Sequence, residues 1–350
     1  MRSTVLRAAA LVIFAGATSV AAQEGESPQY EPWEQELYEA AQEEGQIVWY
    51  VSQTTSEFAD QVCNLFQQTY PGVECSAVRA TGSVTFQRVM QEVQAQAVQG
   101  DVYSSNDTTD FLLLSEGDAL LEYLPQRIDN MLPNLREAGR DGLWFTSNVS
   151  PYGIVYNTGL VADEEAPQTW TDLLDPKWKG QVGIAHPGFS GSMGMYAIAM
   201  RDKYGWEYFE KLEENDPYIG RSIADGFNLV VSGERKVAVA PVTLGLAATA
   251  SGDPVQTVFP EDGLMLPPSG TGILADAPHP NAAKLFEEFL LSEAYADLLI
   301  ENLRYPLIQG VELPEGMPPL DDVELLTVDP ESAATEVVKI QDQFRATFGI

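Results

Sequence analysis

Basic residues are scarce in this chain of 350 residues. Lys and Arg number 19 against 52 Asp and Glu, a formal charge of -33. Nucleic acid and anionic membrane surfaces recruit basic patches, so this balance sets both aside as partners. Only two histidines occur, His186 and His279, and only two cysteines, Cys63 and Cys75. HExxH and CxxC patterns are both missing, which removes the common zinc and dithiol motifs. No Lys follows the glycines of the 188–194 run, so there is no Walker-type phosphate loop. Beyond the N-terminus no run of about 18 uninterrupted apolar residues exists, so no span is expected there.

What is present suggests an exported protein. Met1 to Ala22 has Arg2 and Arg7 ahead of the apolar run Ala8–Val20, and ends in the small residues Val20-Ala21-Ala22. That is the layout of a secretory signal, with Gln23 as the expected mature start and the periplasm as the expected address. Losing Arg2 and Arg7 makes the mature chain more acidic still, which suits a solvated acidic shell. In an oxidising compartment the two cysteines are expected to form one disulfide. Cys63 lies on a predicted helix, Ser56–Tyr70, and Cys75 on the strand that follows it.

The length suggests two domains or two lobes, and the fold class expected is α/β. Gln46–Val51, Val73–Val78 and Asp101–Ser104 read as strands, with helices between them. Each strand delivers a polar loop beyond its C-terminal end: Ser52 to Ser56, Arg79 to Ser83, and Ser105 to Thr109. In open α/β sheets ligands bind at such ends. Trp144–Asn157 reads as extended chain crossing between lobes. Met193 to about Glu214 and Asn281–Asn302 each read as one long helix. The expected division is 23–147 for the first lobe, 148–267 for the second with its crossings, and 268–350 for a return to the first lobe and a C-terminal wrap.

The stretch Pro167–Met195 carries the strongest local grammar. Gln181–Ala185 reads as a buried strand broken by Pro187 and Gly188, after which Ser190-Gly191-Ser192 opens a helix. A serine at a helix start accepts from free N–H groups, glycine admits a ligand to the backbone, and the helix dipole favours an anion. The same signs describe an ordinary N-cap. The neighbouring pattern Gly188-Phe189-Ser190-Gly191-Ser192 also falls one residue short of the hydrolase elbow GxSxG, which would need His186 or His279 beside Ser190.

Taken in order, RATGS, PQTWTDLLDPKWKGQVGIAHPGFSGS, VVSGERKVAVAP, VFPEDGL and SGTGILADAPHPNAAKLFEEFLLSE resemble the ferric-type periplasmic solute-binding proteins of ABC importers. The resemblance implies two α/β lobes of the type II-like periplasmic binding protein fold. It implies a ligand cleft between lobes joined by crossing strands, a monomer, and a permease and ATPase as partners. It also implies a binding protein and no enzyme. The iron binders carry two adjacent tyrosines after the strand that follows the SGE turn. Here that place reads Pro241-Val242-Thr243-Leu244. Their acidic ligand matches Asn106, and the first loop lacks a histidine. Ferric iron wants hard anionic oxygens. Tyr103, Tyr152 and Tyr196 are the tyrosines that could substitute, and ferric iron held with a synergistic anion is the alternative cargo.

The expected cargo is therefore a small organic anion bearing phosphate, phosphonate or carboxylate. The expected ligand set is Ser52, Thr54, Arg79, Thr81, Gly82, Ser83, Ser105, Asn106 and Asp107 from the first lobe, with Tyr152, Ser190, Gly191 and Ser192 from the second. No metal ligand is assigned. Asp107 would repel an anion unless it pairs with Arg79 or with an amino group on the ligand.

Overall fold

In the first lobe the apolar run Gln46–Val51 forms β1, preceded by α1 (Pro32–Glu44), which Gly45 stops in the left-handed region at φ 76. The computed structural model describes residues 30–136, 142–314, 316–320 and 323–350. The expected signal segment, 1–22, lies outside the described residues. Next come α2 (Ser56–Thr69), β2 (Glu74–Arg79), α3 (Gly82–Gln94), β3 (Val102–Ser105), α4 (Thr108–Glu116) and the single turn α5 (Pro133–Arg136). The crossing stretch divides into β4 (Phe145–Val149) and β5 (Tyr152–Asn157), parted by Ser150 and Pro151.

The second lobe continues with β6 (Val182–Ala185), α6 (Gly191–Tyr204), α7 (Glu207–Glu214), β7 (Tyr218–Gly220), α8 (Ile223–Val231), β8 (Val237–Pro241), α9 (Val242–Ala250), β9 (Val255–Val258) and β10 (Leu264–Met265). The chain then returns through β11 (Pro268–Ile273), α10 (Pro280–Phe289) and α11 (Glu293–Glu301). It goes back once more with β12 (Leu325–Leu326) and α12 (Pro330–Phe348).

The first sheet has the order β2-β1-β3-β11-β4, and the second runs β12-β10-β5-β8-β6-β7 with β9 also on β5. The strands delivering the first three loops are parallel, with Val51 opposite both Arg79 and Ser104. Their C-terminal ends are therefore level. The chain is thus a two-lobed α/β protein. An aromatic group in which Trp49 and Phe66 meet Phe286, at 5.2 and 5.3 Å, holds α2 and α10 to one face of the first sheet. Tyr50, Tyr103, Phe111 and Trp144 fill the other face. In the second lobe α8 lies close on β6: a Cβ on Gly183 would stand 3.0 Å from the Cα of Gly226. Only glycine at both places permits that approach.

Both long predicted helices are broken. Gly205, at φ 75, separates α6 from α7. Ser292 accepts from Tyr295 N and starts α11 anew after α10. In each case a local stop signal outweighs a continuous apolar period. The last segment packs on the second lobe: β12 pairs with β10, and Ile340 and Phe344 of α12 enter that lobe's core. α12 also touches α4. Among the described residues no helix is long and apolar enough to cross a membrane.

Cys63 of α2 and Cys75 of β2 are bridged, 5.1 Å apart at Cα across a separation of 12 residues. The bridge pins the helix to the strand whose far end carries Arg79. A loop this short gains about 3 kcal/mol at most from the chain-entropy effect. Cys63→Ala with Cys75→Ala should lower the unfolding free energy by up to that amount in urea titration. Alkylation of the non-reduced, unfolded protein should find no free thiol; two modified cysteines would contradict the bridge.

Candidate functional site

The level ends of β1, β2 and β3 bring the first-lobe loops together. Ser52 N donates to Ser104 O at 3.0 Å. A Cβ on Gly82 would stand 3.8 Å from Ser52 Oγ and 4.0 Å from Asn106 Oδ1, so the loops meet around that glycine. Arg79 is exposed, and its Nε donates to Thr54 O at 3.1 Å. Its terminal nitrogens have no partner among the described residues. Thr54 Oγ1 is buried and makes no hydrogen bond. Thr81 is the N-cap of α3, yet its side chain makes no capping bond, and Ser83 is exposed in the first turn.

Other members of the expected set are committed to their own loop. Ser105 is fully buried, and its Oγ donates to Asp110 Oδ2 at 2.8 Å while accepting from Asp107 N at 3.1 Å. Asp107 caps α4, accepting from Thr109 N at 3.1 Å and Thr109 Oγ1 at 2.6 Å. It pairs with no arginine among the described residues, so its charge is spent on the helix start. Gln53, which the sequence does not single out, bonds Ser147 Oγ at 2.9 Å. Ser147 continues through Thr271 and Ser104 to Trp49 Nε1. That buried hydroxyl chain crosses the sheet under the loops and ties Gln53 into the scaffold.

In the second lobe His186 N donates to Gly220 O at 2.9 Å, which sets the turns after β6 and β7 side by side. Ser190 begins α6 without a side-chain capping bond. A Cβ on Gly191 would meet nothing within 4 Å, so this helix start is open. Ser192 is 6% exposed, and Tyr152 is buried too, which pushes its hydroxyl well above the usual tyrosine range. These two residues form the floor beneath the helix start and line no open surface. Phe189, 58% exposed, immediately precedes Ser190, and Arg221 lies over the Phe189 ring. Sequence reasoning missed both, since a phenylalanine in a turn and an arginine after a short strand carry no motif.

Neither histidine is placed for catalysis. His186 Nδ1 accepts from Gly188 N at 2.8 Å, and its ring lies against Phe189 and Phe344. Burial, then the charge of Arg345, lowers its pKa. No hydrogen bond joins it to Ser190 among the described residues, so the hydrolase reading gains no support from this turn. The backbone N and Nδ1 of His279 both face Asp101. The substitute iron donors are engaged as well: Tyr103 OH donates to Asp110 at 2.5 Å and Tyr196 OH meets Tyr208 OH at 2.8 Å. Thr243 and Leu244 lie in the first turn of α9. Among the described residues no group of three or more His, Cys, Asp or Glu could hold a metal ion.

Residues 116–329 match the family model described as bacterial extracellular solute-binding protein. Iron uptake protein A1 of Synechocystis sp. is 31% identical over 191 residues, covering 49% of this chain and 52% of that protein. The fold is shared with the periplasmic binding protein AfuA from Actinobacillus pleuropneumoniae, solved with fructose-6-phosphate bound. The TM-score is 0.72 at 23% identity, over 87% of this chain and 99% of that one. It is shared equally with iron-bound HitA from Pseudomonas aeruginosa, at a TM-score of 0.72 and 19% identity, over 85% and 99% of the two chains.

One group beside the site should be visible in solution. Burial first, and the charge of Asp107 second, push the Asp110 carboxyl up to about 7. Between the ordinary carboxylate range and that value the folded protein binds a proton that the unfolded chain releases. Stability therefore falls as pH rises through this window. Asp110→Asn should flatten that slope, read as the difference in urea midpoint between about pH 5 and about pH 8. An unchanged slope would assign the pH dependence to other groups.

Proposed function

The chain belongs to the bacterial extracellular solute-binding proteins, of the ferric type that serves ABC importers, and we propose that its own cargo is a small organic anion captured in the periplasm. The cargo group is a phosphate, phosphonate or carboxylate. One observation carries this reading. Among described helical segments that begin at Ser or Thr, Thr55, Thr169, Ser222 and Ser292 each accept from a backbone N–H of their own first turn. Thr81 and Ser190 do not. Both follow strand ends in the expected ligand loops, one in each lobe, and each has glycine as its first helical residue.

An uncapped start presents free N–H groups and the positive end of the helix dipole. Together with a serine or threonine hydroxyl, that is an anion seat. The dipole is worth roughly 0.3 to 1 kcal/mol for an exposed anion and up to about 2 when partly buried. Arg79 adds a planar fork suited to carboxylate or phosphate. These local groups have to overcome the unfavourable field of a chain with net charge -33. Hinge closure through the 150–151 and 266–267 crossings would bring the two seats onto one ligand, and closure expels water that weakens such bonds. The open chain would then hand its cargo to the permease and ATPase. A fold neighbour solved with a phosphorylated sugar supports the cargo class.

The iron names among the relatives favour the second reading, ferric iron with a synergistic anion. Against it, the two places expected to hold tyrosine are Thr243 and Leu244. Ferric citrate should therefore raise no tyrosinate band in the visible spectrum. A strong band lost in Tyr152→Phe would move the assignment to iron.

Native mass spectrometry of the purified protein should reveal a co-purifying anion. Calorimetry with phosphorylated, phosphonate and carboxylate compounds should then give a best ligand that Ser190→Ala and Arg79→Ala each weaken by about tenfold or more, the scale of a charge-assisted hydrogen bond. Wild-type affinity in both variants would mean that the anion seat is elsewhere.

A further inference from the structure

In the second lobe a cation with no ion pair among the described residues, Arg221, lies against Phe189, the residue just before the start of α6. β6 and β7 run parallel, with Ala185 opposite Gly220, so their exit turns lie together. The first turn presents Phe189 immediately before Ser190. The second presents Arg221, whose guanidinium carbon is 4.7 Å from the centre of the Phe189 ring. Arg88, Arg127, Arg136, Arg201, Lys203 and Arg345 each hold a carboxylate. Arg221 has neither an ion pair nor a hydrogen bond among the described residues, although acids outnumber bases 52 to 19. The nearest acid in sequence, Asp225, is occupied: its carboxylate accepts from Ser222 N at 2.9 Å. The arginine backbone is held between β7 and that capping box at the start of α8.

A guanidinium laid over an aromatic face keeps its N–H donors at the edge, where they suit an anion, and it loses little freedom when one binds. Phe189 itself is a large apolar side chain exposed in a turn, where its ring face is open to the guanidinium. We propose that Arg221 is the second-lobe charge that takes the ligand's anionic group, with Phe189 as the platform that orients it. The inference rests on the reading that the cleft binds an organic anion. It narrows that reading to a phosphate or phosphonate dianion. Arg79 in one lobe and Arg221 in the other would stand on either side of one group at closure. Two guanidinium groups brought together repel, and a dianion between them cancels that repulsion better than a monocarboxylate does. Ligand charge would thus decide whether the lobes close.

The test is calorimetry with fructose 6-phosphate, 2-aminoethylphosphonate, inorganic phosphate and acetate, at low and high salt. The proteins are wild type, Arg221→Ala, Arg221→Lys, Phe189→Ala and Arg79→Ala. Arg221→Ala should weaken the best phosphorus ligand by about 10- to 100-fold and reduce the salt dependence of binding. Arg221→Lys should recover part of the loss, and Phe189→Ala should lose affinity with the charge still present. Both positions are exposed, so thermal unfolding should not move. If Arg221→Ala keeps wild-type affinity and salt dependence while Arg79→Ala is weakened, Arg221 has no such role and the anion reading stands. If wild type binds none of the phosphorus probes, the narrowing to a phosphorus dianion is lost and this inference with it, while the wider anion reading is left to the carboxylate compounds.

Discussion

Every α-helix starts with backbone N–H groups that its own turns cannot satisfy, and the way this chain disposes of them organises the molecule. Several starts are closed by carboxylates, some of them from far away in sequence. Glu44 at the end of α1 accepts from Asn281 N and Ala282 N at 3.1 and 2.8 Å, capping α10. Glu288 accepts from Gln126 N and Arg127 N at 2.6 and 3.1 Å, capping the short helix at 126–130. Asp262 does the same for Trp170 N. Each of these bonds joins elements that the chain order keeps apart. Part of the acidic composition is therefore structural, since a carboxylate near a helix N-terminus is stabilised by the same dipole that would draw a ligand.

α1, α7 and α9 also start without a side-chain cap, but among the described uncapped starts only α3 and α6 combine a Ser or Thr N-cap with glycine as the first helical residue. They begin at the C-terminal ends of β2 and β6, where glycine opens the first turn and no side chain closes it. The same rule that makes a good scaffold elsewhere leaves room for a ligand here. Electrostatics sharpens the contrast. A chain this acidic repels anions at long range, but screening confines that repulsion to about 8 to 10 Å at ordinary ionic strength. Inside the cleft the short-range donors dominate.

Support for the seats comes from buried polar groups behind them. The hydroxyl chain through Ser147, Thr271 and Ser104 ties three strands of the first sheet to Gln53. Tyr152, the first residue of β5 and next to the hinge, shares one buried cluster with Met193 and Tyr196 of α6. α12 adds a further brace, since Gln341 Nε2 donates to Pro187 O at 3.3 Å in the turn that leads to Ser190.

The strands, the three polar loops, the disulfide pair and the start of α6 were legible in the sequence because each depends on local properties: apolar runs, turn residues and caps. Family motifs spread along the chain made the two-lobed architecture legible too. Tertiary structure alone decided which loop residues are free. Ser105 and Asp107 look like ligand donors in sequence, but Asp110 and the α4 start consume them. Thr81 and Ser190 belong to the same expected set, and their side chains are left without a capping bond. Gln53, Phe189 and Arg221 gain their positions only when parallel strands set distant turns side by side. A hydrogen-bonding side chain is committed or available according to what stands within about 3 Å of it, and sequence separation does not report that distance.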